Sequence, residues 1–216
     1  MPLDSHFAGK RTIRASRTAT YLSIAGATAA LALALSAAAQ SPAPQSMPII
    51  DDFVAEIASS IRTIRATSAG DATKIVAGCR NLLGRTLDVE AVAQAATEDA
   101  WARMSAPQRE AYEAGVTQRF AAECARQLAD YKGEAIELAG IRPTSGGDRL
   151  ATQRLGEGNE TRMIAWRLRR AGDGKFRAVD VIWEGHSAVA KAHEEFAAGL
   201  QSAHGDVNAL IESMRK

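Results

Sequence analysis

The stretch Lys175-Phe-Arg-Ala-Val-Asp-Val-Ile-Trp-Glu-Gly-His-Ser187 decides the reading of this chain. It reads as a strand, then a Glu-Gly corner, then a serine placed to start a helix. Alternation at period 2 puts Phe176, Ala178 and Ile182 on one face, with Asp180 among them, and Val179, Val181 and Trp183 on the other. A strand with two apolar faces has apolar material on both sides of it, as in a sheet covered by helices. Asp180 then needs a partner, because a buried carboxylate is costly unless hydrogen-bonded or paired with a cation. Arg142, Arg154 and Arg167 are the candidates, and the expected role is a structural ion pair.

Upstream, three more strands precede this one. Ala135 to Ile141 alternates and is stopped by Pro143; Leu150 to Leu155 follows the turn Ser145-Gly-Gly-Asp148. After a turn over Gly156 to Asn159, Met163 to Arg169 places Ile164, Trp166 and Leu168 on one face, with Ala165, Arg167 and Arg169 on the other. Ala171-Gly-Asp-Gly174 is a hairpin signal. Short turns join the four strands, which predicts an antiparallel meander.

Helices flank it. Ile50, Phe53, Ile57, Ile61 and Ile64 step by three or four, giving a helix over about 50–66, broken by Ala69-Gly70. Asp71 caps a second helix that Gly84 is expected to end, and Asp88 caps a short third one with Val92 on its inner side. Ser105-Ala-Pro-Gln108 is a capping box opening the longest helix, about 106–131, along which Tyr112, Val116, Phe120, Cys124, Leu128 and Tyr131 form a stripe. Ser187 starts a helix marked by Val189, Phe196 and Leu200, and Gly205-Asp206 introduces a last short one. Helices grouped before and after one antiparallel sheet make an α+β domain.

The N-terminus reads as an export signal. Lys10, Arg11, Arg14 and Arg17 precede an Ala- and Leu-rich run from Ala19 to Leu35, and Ala37-Ala-Ala39 offers a small-residue cleavage site before Gln40. Residues 1–39 are therefore expected to be removed, 40–48 to form a flexible leader, and 49–216 to form one domain. Without residues 1–39 the 26 basic and 25 acidic residues become 22 and 24, a net charge of −2. Such a surface makes no electrostatic case for nucleic acid. Export places Cys79 and Cys124 in an oxidising compartment, where two readings stay open: a disulfide or a pair of buried thiols. Neither has a His or a second Cys at metal-ligand spacing, so no metal site is expected.

Catalytic signatures are absent: the chain has no Gly-rich phosphate loop, no Gly-x-Ser-x-Gly and no His-Glu-x-x-His. His186-Ser187 lies near Asp180 and Glu184, but neighbours on a strand-to-helix corner do not present triad geometry. Ser187 is expected to be a helix cap and His186 a surface turn residue. Trp101, Trp166 and Trp183 are read as core, or as the lining of an apolar cavity between sheet and helices.

Residues 176–187 resemble the closing strand of the MlaC family, also called the toluene-tolerance auxiliary family, with its Asp-Val-x-x-Glu-Gly-x-Ser block. Thr86-Leu-Asp-Val89, Trp101 with Ser105-Ala-Pro-Gln-Arg109, Tyr131, Glu195-Phe196, Gly205-Asp206 and Leu210-Ile211 follow the family pattern in order over most of 50–214. Phe176, His186 and Ala192-His193 depart from it.

The resemblance implies a non-enzymatic periplasmic phospholipid carrier, without cofactor, that maintains outer-membrane lipid asymmetry. Its partners would be an outer-membrane lipoprotein and an inner-membrane ABC transporter with its substrate-binding ring protein. On that reading acyl tails lie between sheet and helices, against Ile136, Leu138, Ile164, Trp166, Val179, Val181 and Trp183 from the sheet and Leu87, Val92, Trp101, Val116 and Phe120 from the helices. Two rivals stay open: a relative that handles hopanoids, and an enzyme on a cone-shaped α+β sheet using Asp180 as base.

Overall fold

The structure, a computed structural model, describes residues 47–129, 131–156 and 161–215. The expected signal peptide, all but the last two residues of the expected leader, and most of the 156–159 turn lie outside the described residues. The helices are α1 (Pro48–Ser68), α2 (Ala72–Thr86), α3 (Val89–Thr97), α4 (Asp99–Arg103) and α5 (Ala106–Ala129). A sheet of β1 (Ile136–Pro143), β2 (Arg149–Leu155), β3 (Arg162–Arg170), β4 (Phe176–Trp183) and β5 (His186–Ser187) follows, then α6 (Ala188–Ser202) and α7 (Val207–Ser213). The strands pair in chain order, each antiparallel to the next. The fold is α+β, as expected.

Helix starts follow from local chemistry. The Asp71 carboxylate accepts from the amides of Thr73 and Lys74, Asp88 from Ala91, and Asp206 from Asn208 and Ala209. At Ser105 the box closes both ways: the Ser105 amide donates to Gln108 Oε1 at 2.9 Å and the Gln108 amide to Ser105 Oγ at 3.4 Å. Pro48 begins α1, which fits a residue with no amide hydrogen to leave unpaired, so the expected leader ends one residue early. Gly84 does not end α2, which runs on to Thr86. Leu87 then forms a parallel bridge with Ala178, and the Asp88 amide donates to the Ala178 carbonyl at 2.8 Å. That link pairs part of β4's outer edge, which would otherwise be free.

The sheet departs from expectation at a register shift in β1 between Leu138 and Gly140, and in two further ways that arise in the opening stretch. First, it has a fifth strand. Glu184 and Gly185 both have positive φ, 47° and 87°, the pattern of a two-residue hairpin turn, and His186 and Ser187 fold back onto Trp183 and Ile182. Second, β4 carries a bulge: Leu168 pairs with Ala178 and Arg167 with Asp180, leaving Val179 extra. Directly paired residues share a face, so Phe176, Ala178, Val181 and Trp183 lie with Leu168, Trp166 and Ile164. Asp180 and Ile182 lie with Arg167 and Ala165 on the other face. The strict alternation assumed from sequence is broken, because one extra residue reverses the parity of everything after it.

The inner face of the sheet carries α1, as the edge-to-face contact of Phe53 with Trp166 (centroids 5.9 Å apart) records. Helices α2 and α5 pack on one another, and α6 folds back from β5 onto α3 and α7. Cys79 of α2 and Cys124 of α5 are joined by a disulfide.

Candidate functional site

Between the inner face of the sheet and the helices lies a cavity of about 680 Å³, within the range of small-ligand sites. Its sheet wall is Leu155, Ile164, Trp166, Val181 and Trp183. Helices α1 and α2 supply Ile57, Ile61, Leu82 and Leu83; α5 supplies Tyr112, Val116, Phe120 and Leu128; α6 and α7 supply Phe196, Gly199, Leu210 and Met214.

Each wall is fixed from behind. The Trp166 indole N–H donates to Gln153 Oε1 at 2.6 Å, and Gln153 Nε2 donates to the Val54 carbonyl at 3.4 Å. Gln153 is fully buried, so this chain meets the polar needs of both side chains inside an apolar layer. Cys124 lies on the wall itself, and its disulfide ties α5 to α2. On the other side, Asp180 fixes α6: its carboxylate accepts the Ser187 hydroxyl at 2.7 Å and the Val189 amide at 3.1 Å. Ser187 Oγ in turn accepts from the Ala190 amide at 3.0 Å, the helix-cap role expected of it.

The ion pair expected for Asp180 is replaced by this arrangement. Arg167 lies opposite it in register but approaches Asp148 instead, Nε to Oδ2 at 3.9 Å, while Arg154 pairs with Glu137 at 2.7 Å. The bulge explains the choice: it turns Asp180 from the face of Ala178 towards the N-terminus of α6, where two donors and the helix dipole favour a carboxylate. Asp180 does not line the cavity.

The rim is polar. Arg119, Glu123, Arg126 and Gln127 of α5 face Lys191 and Glu195 of α6, and Arg119 and Glu195 form an ion pair between the two helices. Arg126 holds the Glu123 carboxyl below the usual range, through hydrogen bonds at 2.5 and 2.9 Å. At the sheet side the Arg162 guanidinium stands 5.8 Å from the Trp183 ring centroid. Burial pushes the Tyr112 hydroxyl up to about 12. Among the described residues no group of side chains could hold a metal ion, and no helix is long and apolar enough to cross a membrane.

Of the twelve residues assigned from sequence to a lipid slot, Val116, Phe120, Ile164, Trp166, Val181 and Trp183 lie together on the cavity wall. The other six do not. Val179 is the bulge residue and leaves the inner face; Ile136 and Leu138 share that face but belong to β1, where they pack against the core. Leu87 is buried at the edge of β4, where it bridges Ala178, and Val92 and Trp101 are buried in α3 and α4, with Trp101 under the Arg109 guanidinium at 5.2 Å. The lining from α1, α2, α6 and α7 was not among the residues assigned from sequence. Their stripes were visible, but a stripe shows which side of a helix is covered, not whether packed atoms or a cavity cover it.

The sequence profile of the MlaC protein family matches residues 51–216. Among solved structures, the chain is similar to one described as the phospholipid-binding protein from Ralstonia solanacearum in complex with a phospholipid. The TM-score is 0.66 at 15% identity, over 77% of this chain and 93% of that one, a likeness of fold. No curated protein matches the chain. The family match runs from α1 to the C-terminus, through every element that lines the cavity, and the chain therefore belongs to the MlaC family.

Proposed function

We propose that this protein is a periplasmic carrier that encloses the acyl tails of a phospholipid between its sheet and its helices and shuttles the lipid between outer- and inner-membrane complexes. The observation that carries this reading is the cavity: apolar side chains make its walls and charged ones its rim. Each CH₂ kept from water is worth about 0.8 kcal/mol, so one long tail costs on the order of 10 kcal/mol to expose. A carrier needs an enclosed slot, a rim that tolerates a polar headgroup, and no reactive group.

Family membership and the fold shared with a phospholipid-bound structure support the same reading. The absence of Asp180 from the cavity lining, with its two oxygens engaged by Ser187 and Val189, counts against the enzymatic rival. Export through a cleaved signal at Ala39 and delivery to a lipoprotein and an ABC transporter belong to this proposal. Mass spectrometry of lipid extracted under mild conditions from the mature protein tests it. Phospholipid at near one molecule per chain is expected; recovery of a polycyclic lipid would select the hopanoid reading, and recovery of no lipid would remove both.

A further inference from the structure

The long axis of the cavity can be read from which residues of α5 and α6 face each other. Glu123 and Lys191 both stand on the cavity rim, Arg119 pairs with Glu195, and Tyr112 packs edge-on against Phe196 with ring centroids 5.5 Å apart. The two helices therefore run antiparallel along the cavity. At the Glu123 and Lys191 end the lining is charged and exposed. At the Tyr112 end it is apolar and covered: Tyr112 and Val116 are each 2% exposed and Phe196 7%.

Helix α7, with Met214 at its C-cap, crosses this end and presents Leu210, Ser213 and Met214 to the cavity, Leu210 buried, Met214 half-buried and Ser213 exposed. Two glycines let it approach. A Cβ at Gly115 of α5 would stand 2.7 Å from Met214 Cε, and one at Gly199 of α6 would stand closer still to Leu210 Cδ1. Both side chains thus occupy space that any larger residue at those positions would contest.

We infer that α7 is the floor of the cavity, and that Met214 and Leu210 set the length of acyl tail the protein accepts. This rests on the phospholipid reading above. A methylene moved from a bilayer into the cavity gains little, since both are apolar. One that finds no room stays in water, and each such methylene lowers uptake about four-fold, the ratio matching the transfer free energy of one CH₂.

The test is competitive loading of the purified mature protein from vesicles that hold equal amounts of one phospholipid class with saturated tails in two-carbon steps. Bound lipid is then read by mass spectrometry. The wild type should show a tail length beyond which uptake falls about four-fold per methylene. Met214→Ala, which deletes three heavy atoms from the floor, should move that break to longer tails, and Met214→Trp to shorter ones. Leu210→Val serves as a second, milder enlargement that keeps the fold and should also move the break to longer tails. An unchanged break in variants that load normally would overturn the inference while leaving the phospholipid reading intact. A wild type that takes up no lipid from any vesicle would fail the phospholipid reading itself, and the floor assignment with it.

Discussion

Replacing Asp180 with Ala should loosen the helix that forms one wall of the cavity. The carboxylate is 4% exposed and accepts two hydrogen bonds, from the Ser187 hydroxyl at 2.7 Å and the Val189 amide at 3.1 Å. Bonds to a charged group contribute about 1.5–3 kcal/mol each, and they are not additive when both serve one carboxylate. Ser187 Oγ keeps its bond from the Ala190 amide, whereas the Val189 amide, on a residue 9% exposed, loses its partner inside the protein. The expected loss is about 3 kcal/mol, a large part of the 5–15 kcal/mol that holds a typical domain together. Asp180→Asn keeps an acceptor for Val189 but changes the bond to Ser187 and removes the charge at the helix start, so about half that loss is expected. Urea unfolding followed by circular dichroism measures both variants, and amide exchange over residues 188–192 should accelerate in the alanine variant under native conditions. A stability for Asp180→Ala within about 0.5 kcal/mol of wild type, the range of an ordinary surface change, would refute the assignment of Asp180 as the anchor of α6.

Two further outcomes follow from the same structure. Cys79→Ala/Cys124→Ala removes a link across 45 positions of sequence, and the chain-entropy relation gives a loss of about 4 kcal/mol; a shift below about 1 kcal/mol, read from urea midpoints with and without reductant, would contradict a disulfide that braces α2 and α5. Tyr112 stays protonated in the folded protein up to about pH 12, whereas in the unfolded chain it ionises near its ordinary value of 10.0. Its contribution is thus fully present below pH 10 and is lost as pH rises towards 12, a change on the order of 2–3 kcal/mol. Tyr112→Phe should flatten that alkaline limb in stability measured against pH, and an unchanged limb would assign it elsewhere.

The parts legible in the sequence were those governed by near neighbours. Asp71, Asp88, the Ser105 and Gln108 box, Ser187 and Asp206 start their helices because a cap acts over two or three residues. Gly84 misled because a glycine inside a helix costs only about 1 kcal/mol, and the Leu87 bridge to Ala178 rewards carrying the chain onward. The bulge at Val179 left no local signal, since it depends on how β3 and β4 meet. It reversed the faces after Ala178, and so removed Val179 from the slot and turned Asp180 to α6. Glu98 breaks α3 from α4 with φ 48° at a residue that nothing in its type marks as a breaker. Six of the twelve assigned residues line the cavity: Ile164, Trp166, Val116 and Phe120 sit on the most regular stripes, and Val181 and Trp183 stay together after the bulge.

Trp166 and Trp183 line the cavity and Trp101 does not, so the three tryptophans report where acyl tails lie. Three variants that each keep one tryptophan, with the others changed to Phe, are loaded with a phospholipid whose tails carry bromine, a short-range fluorescence quencher. Strong quenching of Trp166 and Trp183 is expected, with Trp101 unchanged. Quenching of Trp101 alone, or of none of the three in protein that holds the lipid, would contradict the placement of acyl tails between sheet and helices.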